Sequence, residues 1–141
     1  MAGCLWRRDD TLWGPSAAPE VAGRLGWLEA PTASAAQVEQ IERFVAECRA
    51  DGIEDVVLLG MGGSSLAPEV VRRSLAHPGE DGRRGMRLRV LDSVDPDAVR
   101  AVEEGTDLER TLFLVSTKSG GTIDTLSLAR RFLAGGADPA R

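Results

Sequence analysis

Asp55-Val56-Val57-Leu58-Leu59-Gly60-Met61-Gly62-Gly63-Ser64-Ser65-Leu66-Ala67-Pro68 is the stretch on which the fold turns. Its first six residues form a short, continuous apolar run rich in Val and closed by glycine. Such a run suits a strand buried on both faces, as in a parallel sheet. The glycines and serines that follow make a tight loop. Leu66, Ala67, Val70, Val71 and Leu75 then recur at helical spacing, with Pro68 expected in the first turn, where proline is tolerated.

The same alternation continues downstream. Arg87-Leu-Arg-Val-Leu-Asp92 predicts a second strand. Asp95 and Pro96 form an N-cap and an N1 proline for a helix that carries Ala98, Val99 and Val102 to Gly105. Thr111-Leu-Phe-Leu-Val-Ser116 predicts a third buried strand. The loop Thr117-Lys-Ser-Gly-Gly121 leads into a helix with Ile123, Leu126, Leu128, Ala129, Phe132 and Leu133.

Upstream, Ser34 and Gln37 have capping-box spacing. Val38, Ile41, Val45 and Cys48 follow at helical intervals with Phe44 beside them, so a helix over 34–51 is expected, stopped by Gly52. Strands alternating with helices predict an α/β fold: a three-layer α/β/α sandwich around a parallel sheet with right-handed crossovers. Three strands leave two sheet edges to cover, so further strands are expected beyond Arg141. Residues 1–33 read as an irregular arm, broken by Gly14, Pro15, Pro19 and Pro31, with a short helix or turn at 21–28. The arm holds all three tryptophans, and such a segment is expected to pack on something.

Composition narrows the function. The 141 residues carry 17 basic and 22 acidic side chains, a net charge of −5, and only Lys118 among the basic ones is lysine. No basic cluster offers a face for nucleic acid. No run approaches the roughly 18 apolar residues of a membrane span. Cys4 and Cys48 with the single histidine, His77, make no zinc pattern, so no metal is expected. His77 falls in a turn-like stretch at the far end of its helix from the loops. A reduced, cytoplasmic setting is the expectation.

Chemistry in an open parallel sheet gathers outside the carboxyl ends of the strands. Two loops there are suited to an anion. Gly60-Met-Gly-Gly-Ser-Ser65 lets backbone approach a ligand closely ahead of a helix N-terminus. It lacks the Gly-Lys-Ser/Thr of a P-loop. Ser65 stands where a dinucleotide fingerprint has its third glycine. Ser116 to Thr122 supplies four hydroxyls, two glycines and Lys118. The plainer alternative is that Ser64, Ser119 and Thr122 only cap helices. Asp92-Ser-Val-Asp-Pro96 reads as a capping turn. Asp124 is a first-turn acid that the helix dipole favours.

Gly60-Met-Gly-Gly-Ser-Ser-Leu-Ala-Pro68 and Val115-Ser-Thr-Lys-Ser-Gly-Gly-Thr-Ile-Asp-Thr125 resemble the two signature loops of glucose-6-phosphate isomerase. Leu91-Asp-Ser-Val-Asp-Pro96 resembles the segment between them. The arm segments Leu5 to Trp13 and Arg24 to Leu28 look like the lead into the isomerase half of bifunctional transaldolase/glucose-6-phosphate isomerases. The resemblance implies a sugar-isomerase (SIS), flavodoxin-like fold, with 34–141 as a first subdomain that is incomplete at its C-terminus. It implies that Gly62, Gly63, Ser64, Thr117, Lys118, Ser119, Thr122 and Thr125 bind the phosphate of a hexose 6-phosphate. Asp124 matches an acid, usually Glu, that supports a catalytic histidine from elsewhere. The implied activity interconverts glucose 6-phosphate and fructose 6-phosphate through an enediol, without cofactor, in a full-length homodimer. The main base, an arginine and the histidine are implied to lie outside this chain. A non-catalytic sugar-phosphate sensor and a nucleotide-binding domain are the alternatives.

Overall fold

A computed structural model describes residues 2–15, 17–75 and 85–136. His77 lies outside the described residues. The chain forms two compact units, Met1–Ala46 and Glu47–Arg141.

The first unit is built from short helical pieces rather than irregular chain. They are α1 (Ala2–Trp6), α2 (Ala18–Val21), α3 (Ala30–Ala35) and most of α4 (Val38–Ala50), with single 3-10 turns at Asp10–Trp13 and Gly26–Glu29. Proline near the start of α2 and of α3 explains why helix begins there: its missing N–H has no helical role in the first turn. The single helix expected over 34–51 is instead divided at 36–37. Ser34 does not open a capping box. It lies in the last turn of α3, and its carbonyl accepts the Gln37 N–H at 3.0 Å. Trp6, Trp13 and Trp27 are all exposed.

The second unit carries the sheet. Its strands are β1 (Asp55–Gly60), β2 (Arg87–Leu91) and β3 (Thr111–Ser116), all parallel, in the order β2-β1-β3. Helices α5 (Gly63–Leu75), α6 (Pro96–Gly105) and α7 (Ile123–Ala134) follow the strands in turn. Gly52 stops α4 in the left-handed region, φ 79°, and the Ile53 N–H returns to the Cys48 carbonyl at 3.0 Å. Asp95 caps α6 by accepting the Asp97 and Ala98 amides at 3.0 and 3.1 Å.

Central β1 is buried along its whole length, as its continuous apolar run predicts. Alternate residues feed two cores. Val57 and Leu59 pack with Leu91, Val102, Leu128 and Phe132 under α6 and α7. Phe113 and Phe132 stack with ring centroids 4.7 Å apart. On the other face Val56 and Leu112 meet Cys48 and Ile53. At the amino edge of the sheet, the buried Asp55 accepts two hydrogen bonds from Arg87, at 2.9 and 2.7 Å.

α5 departs from expectation. Leu66, Val70, Val71 and Leu75 are exposed, and Ser65 is its buried residue. The sheet's second core face holds Cys48 from α4 together with Ile53. The helix also begins earlier than expected, so Pro68 lies inside it rather than in its first turn. The two outer strands differ in character. β2 carries Arg87 and Arg89, whereas β3 has no charged residue and leaves Leu114 and Val115 exposed.

Candidate anion site at the sheet crossover point

The order β2-β1-β3 means the chain leaves β1 toward one side and later returns to its other side. The crevice beside β1 at that reversal is where open α/β sheets bind ligands. Gly60 pairs with Ser116 in register, so the two glycine- and hydroxyl-rich loops leave the sheet side by side. The middle loop leaves from β2, on the opposite side of β1 from β3. Ser93 and Asp95 are used within its turn and cap, as expected.

In the first loop Gly62 has φ 59°, which excludes most side chains. A Cβ on Gly62 or Gly63 would meet nothing within 4 Å, so space lies open in front of both. Ser65, not Ser64, closes the turn: its hydroxyl donates to the Gly62 carbonyl at 2.9 Å, and it is fully buried. Sequence reading gave Ser65 no role beyond breaking the dinucleotide pattern. A buried Ser three residues after a left-handed Gly is the signal that could have found it. Ser64 is half-buried at the mouth of the turn.

The third loop is held by its own side chains. The Thr117 and Thr122 hydroxyls lie 3.2 Å apart, joining the two ends of the loop. The Gly121 N–H donates to Ser119 Oγ at 3.2 Å, around Gly120 with φ 72°. Thr122 occupies the N-cap position of α7, yet its side chain makes no capping hydrogen bond. The plain capping role considered for Thr122 is therefore absent. The first helical bond runs from the Leu126 N–H to the Thr122 carbonyl at 3.0 Å. The amides of 123–125 precede that bond and point out of the helix start. Lys118 and Asp124 are exposed, the latter in the first turn.

Thr125 lies deeper. It is fully buried, and among the described residues its hydroxyl has no hydrogen-bond partner. A buried hydroxyl without a partner costs roughly 1–3 kcal/mol. Thr125→Val keeps the shape and removes that cost. The variant is expected to be more stable by about 1 kcal/mol, read by calorimetry without ligand. A lower Tm would show that the hydroxyl is satisfied in solution.

The Gly60–Ser116 register starts the loop of Gly62, Gly63 and Ser64 and the loop of Thr117, Ser119 and Thr122 at neighbouring strand ends, with Lys118 exposed and Thr125 buried in the first turn of α7. Hydroxyls, open glycine backbone and an uncapped helix start form a neutral donor surface suited to a dianion. Among the described residues, no group of His, Cys, Asp and Glu has metal-binding geometry. No described helix is long and apolar enough to cross a membrane.

Residues 35–134 match the family model of phosphoglucose isomerase. The chain belongs to the phosphoglucose isomerase family. It is 34% identical over 110 residues to a glucose-6-phosphate isomerase of Carboxydothermus hydrogenoformans, covering 74% of this chain and 24% of that protein. It is 42% identical over 88 residues to glucose-6-phosphate isomerase 1 of Rhodococcus jostii, covering 60% of this chain and 15% of that protein. The fold matches the crystal structure of a hypothetical protein from Thermus thermophilus, with a TM-score of 0.64 and 27% identity. That match covers 94% of this chain and 28% of the other. The chain thus spans about a quarter or less of the relatives it matches. Both anion-site loops fall inside the matched family region.

Proposed function

We propose that this chain is the phosphate-binding portion of an aldose–ketose isomerase that interconverts glucose 6-phosphate and fructose 6-phosphate. The observation that carries this reading is the uncapped start of α7, set beside the glycine loop of β1 and edged by the Thr117–Thr122 pair. A phosphate seated there would receive the free amides and the hydroxyls of Ser64, Thr117, Ser119 and Thr122. Lys118 adds positive charge, and the Thr125 hydroxyl, without a partner among the described residues, is a further donor for the phosphate.

The reaction moves a proton between C2 and C1 of the opened sugar through an enediol. It needs a carboxylate base at that edge and an acid for ring opening. Asp124 is assigned as a supporting acid that orients a histidine. The base and that histidine are assigned to polypeptide outside this sequence, acting in a homodimeric full-length enzyme in the cytoplasm. The N-terminal arm is read as the lead-in segment of a bifunctional transaldolase/isomerase.

The test is titration of the 141-residue protein with glucose 6-phosphate, inorganic phosphate and NAD, alongside an isomerase assay. Weak binding of both phosphates without turnover is expected. A preference for NAD sinks the proposal, and turnover by the chain alone sinks the assignment of the base. Tight binding of the sugar phosphate without turnover favours a sensor module instead.

A further inference from the structure

Gly60 sits where the two loops part. A Cβ built on it would lie 3.0 Å from the Ser116 carbonyl oxygen, 3.2 Å from the Ser64 carbonyl oxygen and 3.3 Å from Ser116 Cβ. Ser116 is the last residue of β3 before the third loop, and Ser64 lies in the first turn of α5. Both carbonyls belong to backbone that cannot swing aside as a side chain can. Gly105 is equally crowded, but there the close atom is the tip of the flexible Arg89 guanidinium, at 3.0 Å. Gly60 is not required by its backbone angle, since its φ is not in the left-handed region. Its requirement is spatial.

A second feature bears on the same contact. Pro68 lies one helical turn after Ser64, and it has no N–H to donate to the Ser64 carbonyl. Its ring also crowds that carbonyl, four residues earlier in the helix. The carbonyl that faces Gly60 is thus one the helix does not hold in the ordinary way.

We infer that Gly60, seconded by Pro68, is a positioning residue that sets the separation of the two phosphate loops. Without a Cβ at 60, the Ser116 and Ser64 carbonyl oxygens stand 3.0 and 3.2 Å from the place a methyl would take. A methyl there makes both neighbours give by a few tenths of an ångström. A bound anion then meets the donors of the two loops at longer, weaker distances. This inference rests on the proposed phosphate site for its consequence, but not for its geometry.

The experiment compares Gly60→Ala with Gly105→Ala in the full 141-residue protein, by amide NMR without ligand and by titration with inorganic phosphate. Gly60→Ala is expected to shift the amides of Gly62–Ser64 and of Thr117–Thr122 together. It is expected to weaken phosphate binding about tenfold, the effect of losing one charge-assisted hydrogen bond. Gly105→Ala is expected to leave Tm equal to or above wild type, because the Arg89 tip can move aside, and to leave those amides and the affinity as in wild type. Unshifted loop amides in a folded Gly60→Ala overturn the inference. If wild type does not bind phosphate, the functional proposal fails, and the ligand-free amides still decide the role of Gly60.

If Gly60→Ala does not fold, Pro68→Ala decides the matter. It returns an N–H to the Ser64 carbonyl and introduces the best helix former, so its Tm should equal or exceed wild type. The Gly62–Ser64 amides should shift as that carbonyl is drawn toward the helix axis. Unchanged amides in that variant overturn the inference.

Discussion

Leu59→Ala is expected to cost roughly 3 kcal/mol, within the range of about 2–5 kcal/mol typical of buried leucines cut to alanine. Leu59 is 0% exposed on the central strand and packs among Leu91, Val102, Leu128 and Phe132. These neighbours come from two helices and another strand, so the cavity cannot collapse by moving one element. In a unit of this size the loss corresponds to a drop in Tm of about 12–24 °C. Leu66→Ala is the control. Leu66 is 59% exposed on α5, and its loss should change stability by no more than about 0.5 kcal/mol. Thermal melts of both variants check the pair. Equal shifts would show that the α5 face is packed in solution and that the core is not centred on β1.

The second large effect concerns the site. Ser119→Ala and Thr122→Ala should each weaken binding of glucose 6-phosphate by roughly 1.5–3 kcal/mol, or about ten- to 150-fold, if each hydroxyl donates to the dianion. The two hydroxyls have different duties in the unliganded loop. Ser119 Oγ accepts from the Gly121 amide, and Thr122 Oγ1 is paired with Thr117. A hydroxyl can accept from the protein and still donate its own proton to a ligand, so Ser119 keeps its bond while binding. The Thr117–Thr122 pair offers only one proton to spare. Thr122→Ala therefore removes a donor and also unlinks the two ends of the loop, and it should show the larger loss. Calorimetric titration measures both. Wild-type affinity in folded variants would reduce these hydroxyls to shaping the loop.

The sheet was legible because its signals are local. The run Asp55–Gly60 and the run Thr111–Ser116 became strands with the bounds their composition implies, and β2 ends one residue short of Asp92. Asp95 and Pro96 opened α6 as such pairs do. Strand order was not legible, since β2 and β3 both neighbour β1 and nothing in their residues states the side. The helix stripe of α5 misled for a related reason. Spacing pairs Leu66 with Val70 and Val71 with Leu75 on the helix surface, but does not show whether anything packs against them. At the site, glycines and hydroxyls announced an anion loop. The buried turn-closing bond of Ser65 and the crowding at Gly60 depend on atoms from other segments, which residue type alone does not reveal.

The unequal outer strands have a consequence for handling the protein. Among the described residues, β3 pairs on one side only, and its other side offers unmatched backbone donors and acceptors. Charge is the usual deterrent to stray strand pairing, and β2 has it in Arg87 and Arg89 while β3 has none. Concentrating the chain therefore puts the risk of stray strand pairing on β3 rather than β2, and a lysine introduced at the exposed Val115 is the place to insulate it.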